Sequence, residues 1–232
     1  AFVSEALILC RLSIQEMDSQ SKLLEEIDEI IKANKIFLSL LIVDGELSQI
    51  GDNDSGRLFY FSFNEDEPLK MNWLVNLIGN LYNGNNQDNK TQDKFKQIVN
   101  LHIPSLDEFK VVKNKAIPVF TKDYEYYSSR DFGIYIWRND DQYFSIRCGP
   151  IGQNGFGGHS HYDQLSIECF SEGKWIARDP GTGTYTDNID LRNKFRSLAY
   201  HWGPQPKMNF PKEDEFDCFK LNHMTSGEVL KF

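Results

Sequence analysis

The chain has 232 residues, with 25 basic and 34 acidic side chains for a formal net charge of −9; 40% of residues are apolar and 13% aromatic. That balance excludes wholesale disorder and collagen-like structure, argues against a dedicated nucleic-acid binder, and suits one large or two small domains. No run of about 18 apolar residues occurs, so no membrane span is expected. The opening Ala1-Phe2-Val3-Ser4-Glu5 has neither an initiator Met nor a basic n-region, and reads as a cut inside a larger protein.

The first hundred residues carry helical periodicity. Ser4 to Ser13 forms a nearly all-round apolar turn with Ala6, Leu7, Ile8, Leu9 and Leu12. Ser21 to Ala33 places Leu23, Leu24, Ile27, Ile30 and Ile31 at i, i+3, i+4, i+7 spacing, with Ser21 as its expected cap. Ile36 to Val43 continues the apolar pattern until Asp44-Gly45 ends it. Further helices are expected over Pro68 to Tyr82 and Lys90 to Leu101, separated by the polar loop Asn83 to Lys90. Within Ile50 to Arg57, the DxDxG start of a calcium loop is present, but the twelfth position is Phe63 instead of Glu. A turn whose Asp and Asn side chains bond local backbone is the expected reading there.

After Pro104 the period changes from 3.6 to 2. Asp131 to Trp137 alternates, Asn139-Asp140-Asp141 turns, and Gln142 to Cys148 alternates again. Gln164 to Phe170 is expected to point Leu165, Ile167 and Cys169 inward, with Ser166 and Glu168 outward. Ser171 to Lys174 reads as a hairpin turn and Trp175 to Arg178 as the return strand. The class implied is α+β: a helical segment over 1–105 followed by an antiparallel β-domain over 106–232. The four cysteines, Cys10, Cys148, Cys169 and Cys218, form no CxxC and are expected as buried thiols.

The chemistry-bearing cluster is Gly158-His159-Ser160-His161-Tyr162-Asp163. In an extended strand His159, His161 and Asp163 would share one face, as metal ligands or as a proton relay. Asp179 follows across the hairpin, and His201 follows 22 residues after it. Two imidazoles and a carboxylate make a common zinc set, although a tight hairpin alone would set Asp179 opposite Ser166, not His161.

The run GHSHYDQLSIECFSEGKWIARDPGTGTYTD, followed by LRNKFRSLAYH, resembles the heparinase II/III-like polysaccharide lyases, and IGDNDSGR at 50–57 resembles an upstream element of that family. The resemblance implies the end of an (α/α) toroid followed by an antiparallel β-sandwich. It implies a divalent metal of the zinc kind, held by His161, Asp179 and His201 in a mostly structural role. It implies a catalytic His159 facing the substrate and a Tyr185 in proton transfer. Arg192 and Arg196 match its basic stretch, as substrate contacts or as ion pairs to neighbours such as Asp187 and Asp190. The reaction implied is β-elimination on a uronic-acid polysaccharide, in a periplasmic or secreted setting, with no nucleic-acid partner. Two features depart from the family: Trp202 follows His201 where an Asn is usual, and the toroid's Asn-His and Tyr have no match. A non-catalytic carbohydrate-binding or structural metal domain, and a hydrolase with a zinc-activated water, are the competing readings.

Overall fold

The computed structural model describes residues 2–53, 58, 69–83, 124–207, 212, 216–221 and 227–230. The expected helix over Lys90 to Leu101 and the loop preceding it from 84 onward lie outside the described residues. The chain divides into two compact units: 1–47 with 55–118, and 48–54 with 119–232.

In the first unit, α1 spans Phe2–Met17, α2 Leu23–Leu41 and α3 Asn72–Asn83. Helix α2 fuses two expected segments, because Ala33-Asn34-Lys35 contains neither Gly nor Pro to stop it. Ser21 does not cap it. The N-cap is Lys22, without a side-chain hydrogen bond, and Ser21 offers only its carbonyl to the Leu24 N–H. Ile8, Leu12, Ile31, Leu38, Leu74, Leu77 and Ile78 interlock as the core of this unit. Removing their apolar surface from water is the main force joining α1, α2 and α3. Beside this core, Arg11 pairs with Asp28 at 2.5 Å, and the Tyr82 hydroxyl donates to the same carboxylate at 2.6 Å. Strands β1 (Ile42–Val43) and β2 (Glu46–Leu47) pair across Asp44-Gly45. Both turn residues have positive φ, the geometry a two-residue hairpin requires.

The second unit is built on a five-stranded antiparallel sheet in simple meander order: β3 (Glu125–Ser129), β4 (Ile134–Arg138), β5 (Gln142–Arg147), β6 (Ile167–Ser171) and β7 (Lys174–Ala177). The α+β class is therefore what the structure shows. Strand β6 faces the opposite way from the sequence expectation. Ser166 and Glu168 are buried, whereas Leu165 is 48% exposed. The reason is that segment 48–54 supplies polar partners on that side. Ser48 Oγ and Gln49 N–H both bond the Glu168 carboxyl, so a buried acid is satisfied where an apolar residue was expected. The other face carries Tyr126, Tyr135, Trp137 and Ile146, which line an apolar cavity of about 510 Å³.

Helix α4 (Ile189–Arg196) was not anticipated, because it reverses the usual amphipathic rule. It buries Arg192, Asn193 and Arg196 and exposes Ile189 and Leu191. The Asn188 side chain caps it by accepting from the Leu191 N–H at 3.0 Å. All four cysteines are free, but only Cys148 is buried as expected; Cys169 and Cys218 are half-buried and Cys10 is exposed.

Candidate metal centre and the histidine beside it

The stretch 158–166 is irregular, not the extended strand that would put His159, His161 and Asp163 on one face. Turns interrupt it, and Leu165 adopts a positive φ of 63°. The result separates the three side chains: His159 is 48% exposed, while His161 and Asp163 are buried. The same turns carry His161 inward to meet Asp179 and His201. One ligand atom from each of these three buried residues lies within 4.8 Å of the others, although they come from three separate stretches of the chain.

Each of the three is oriented by a second contact. His161 directs Nε2 at Asp52 Oδ1, 3.0 Å away. A carboxylate only accepts, so the ring proton sits on Nε2 and Nδ1 keeps its lone pair. His201 donates from Nδ1 to the Ser197 carbonyl at 2.8 Å, which leaves Nε2 as its lone-pair nitrogen. Asp179 Oδ1 accepts the Gly181 N–H at 2.8 Å, and its Oδ2 lies 3.3 Å from His201 Nε2. Among the described residues, His161 Nδ1 and His201 Nε2 are buried without a hydrogen bond, the latter facing the Asp179 carboxylate. Two imidazole nitrogens facing one carboxylate, each residue braced from behind, match the donor set and outer shell that a divalent ion takes. The residues therefore fit a divalent ion.

Burial opposes the imidazolium of His201, but the Asp179 carboxylate, with Asp163 further off, outweighs burial and holds this group above the ordinary imidazole range. Glu168 braces the same region by accepting from the Asp179 N–H at 3.3 Å. Burial, with the Asp179 charge nearby, pushes its carboxyl up to about 7. Burial likewise raises Asp163 against the attraction of Arg147, whose Nε is 3.7 Å away.

Asp52 joins this centre to the exposed histidine, and sequence reasoning passed over it as a turn residue. Its carboxylate accepts from Arg192 Nη1 at 3.0 Å and Nη2 at 2.5 Å, from His161 Nε2, and from His159 Nδ1 at 3.2 Å. Burial works against the charge of Asp52. The His161 hydrogen bond and the Arg192 guanidinium overcome it and hold the carboxyl below its ordinary value. Gly51 permits this approach. Its φ is +63°, its Cβ position would overlap the His159 carbonyl, and that carbonyl accepts the Asp52 N–H at 2.8 Å. The available signal was the position of Asp52 in IGDNDSGR, the element resembling an upstream family feature.

His159 is thus held from the inside at Nδ1, and among the described residues nothing bonds its Nε2. The Tyr185 hydroxyl lies 3.2 Å from the same Nδ1, and the two rings stack with centroids 6.0 Å apart at 6°. The two arginines have internal partners. Arg192 is fully buried between Asp52 and the rings of Tyr185 and Phe219. Arg196 is fully buried and bonds the carbonyls of Asp217, Cys218 and Lys220. For either guanidinium to touch a polymer, it would have to leave these partners. The acid that meets Arg192 is Asp52, 140 residues away, instead of the neighbouring Asp187 or Asp190.

Residues 122–201 match the family model described as heparinase II/III-like, C-terminal. That segment is similar to the C-terminal part of this family. It contains His159, His161, Asp179, Tyr185, Arg192, Arg196 and His201. Solved structures similar to the chain include a heparinase III gene product with methylated lysines, at 16% identity over 76% of this chain and 23% of that one, with a TM-score of 0.43. Heparan sulfate lyase HepC from Pedobacter heparinus is similar at 15% identity over 74% of this chain and 23% of that one, with a TM-score of 0.40. A further heparinase III is similar at 14% identity over 83% of this chain and 37% of that one, with a TM-score of 0.34. The chain thus spans well under half the length of these heparinase structures. No curated protein matches it. Among the described residues, no helix is long and apolar enough to cross a membrane.

Proposed function

We propose that this chain is part of a polysaccharide lyase that cleaves a uronic-acid-containing polymer by β-elimination. The observation that carries the reading is His159: half-exposed, fixed at Nδ1 by Asp52, stacked on Tyr185, and inside the heparinase II/III-like segment. A proton next to a carboxylate is weakly acidic, so the reaction needs donors near the developing charge and a group to move the proton. His159 and Tyr185 are assigned to that work. The C5 proton leaves to this pair, its bonding electrons form the C4–C5 double bond, the C4–O bond breaks, and a proton returns to the leaving oxygen. Asp52 keeps the His159 ring proton on the inner nitrogen, so that Nε2 faces outward.

The ion proposed for His161, Asp179 and His201 is zinc, which favours two imidazoles and a carboxylate in a compact set. When bound, it neutralises buried carboxylate charge and ties three distant stretches together, coupling metal affinity to folding. The three ligands are all buried, and this favours a structural role over a zinc-activated water.

The test is to incubate the protein with heparan sulfate, alginate and hyaluronan in turn. Ultraviolet absorbance of an unsaturated uronate together with new reducing ends supports elimination. New reducing ends without that absorbance identify a hydrolase, and binding without either product identifies a non-catalytic carbohydrate module.

A further inference from the structure

We propose that Phe219 and Lys220 form a subsite for a charged sugar ring beside His159; this rests on the lyase reading above. Both residues lie beyond the family-matched segment. The Phe219 ring stands 6.0 Å from His159 and 5.4 Å from Tyr185, and the Arg192 guanidinium lies 4.9 Å over it. The buried cation and Tyr185 hold the ring, which is itself partly exposed. A pyranose has an apolar C–H face that gains by leaving water against such a ring.

The turn that bears Phe219 is held with unusual effort for a surface segment. Arg196 spends three hydrogen bonds on its carbonyls at 2.8, 3.0 and 3.2 Å. The Phe219 N–H is taken by Asp217 Oδ1 at 3.1 Å, and the Leu221 N–H by the Phe156 carbonyl at 3.2 Å. Leu221 is buried with Ile151 and Tyr162. A ring held this rigidly loses little freedom when a ligand settles on it.

Charge recognition falls to Lys220. Arg192 and Arg196 are sealed, whereas Lys220 is exposed, with Nζ 5.7 Å above the half-exposed Phe156 ring. In a chain of net charge −9, attraction for a polyanion has to come from such a local cation.

The test measures binding of size-defined heparan sulfate, alginate and hyaluronan oligosaccharides to the zinc-loaded protein by calorimetry. With the tightest of these, Phe219→Ala is expected to weaken affinity about fivefold, the worth of one aromatic contact, and Phe219→Trp to restore it. Lys220→Gln is expected to weaken binding about threefold and to flatten its salt dependence. Metal content should stay unchanged in all three variants, and melting temperature should stay unchanged in Phe219→Trp and Lys220→Gln. Unaltered affinity in both Phe219→Ala and Lys220→Gln overturns the subsite while leaving the lyase reading intact. Variant-sensitive binding without any unsaturated product supports the subsite and overturns the lyase reading. Absence of binding to every oligosaccharide overturns the subsite.

Discussion

Asp52→Asn is the substitution that probes the most connections at once. The carboxylate is fully buried and accepts from a bidentate guanidinium and two imidazoles. The amide has nearly the same shape but carries no charge, and its NH2 would face either the guanidinium, which only donates, or an imidazole that would have to move its proton to the other nitrogen to accept. Arg192, fully buried, would lose its counter-charge. Breaking a buried pair in this way costs about 3–5 kcal/mol. His161 would lose the partner that keeps its Nδ1 free for metal, an outer-shell loss worth about 10- to 100-fold in metal affinity. The assay is urea denaturation of the metal-free and zinc-loaded proteins, with zinc titration by a competing chelator. A double variant, Asp52→Leu with Arg192→Met, should be less destabilised than the two single changes added together, because it removes both charges. Retention of stability within about 0.5 kcal/mol, below the effect of any lost buried charge, together with unchanged zinc affinity in Asp52→Asn, would refute the reasoning.

Three further outcomes are expected. His161→Ala should abolish zinc binding and lower the melting temperature, whereas His159→Ala should keep the metal and lower turnover; metal analysis and product formation distinguish them. Glu168 has its folded pKa raised to about 7, so its stabilising contribution is present below its ordinary carboxylate range and is lost as pH rises through about 7. Glu168→Gln should therefore gain stability relative to the natural protein above pH 7, which denaturation across a pH series will read. His201 is raised above its ordinary value by Asp179, so in the metal-free protein its contribution is present at acid pH and fades as pH rises through the folded value. Zinc requires the neutral ring, so zinc affinity should fall on acidification, and pH-resolved chelator competition checks the direction.

Much of the scaffold was legible in the sequence. The switch from a 3.6 to a 2.0 period marks the passage from helices to sheet, and Glu172-Gly173 gives the β6–β7 turn with both residues at positive φ. The meeting of His161, Asp179 and His201 was suggested by residue type, although spacing alone argued against it. Turns at 163–166 and a β-bulge at Cys169/Phe170 changed the register that spacing assumed. What hydrophobic patterning hid was every place where a polar group faces inward. Glu168 reverses the sense of β6 because Ser48 and Gln49 satisfy it. Helix α4 buries Arg192 and Arg196 because Asp52 and the 217–220 carbonyls await them. Asp52 itself was obscured for the same reason, since its four donors come from residues 107 to 140 positions away.

Zinc stoichiometry on the purified protein tests the central claim most directly. The account predicts one ion per chain, lost when His161, Asp179 or His201 is singly replaced by Ala, with nitrogen and oxygen neighbours in X-ray absorption at the zinc edge. A protein that takes up no zinc, or that holds it equally well after each of those three replacements, would contradict it.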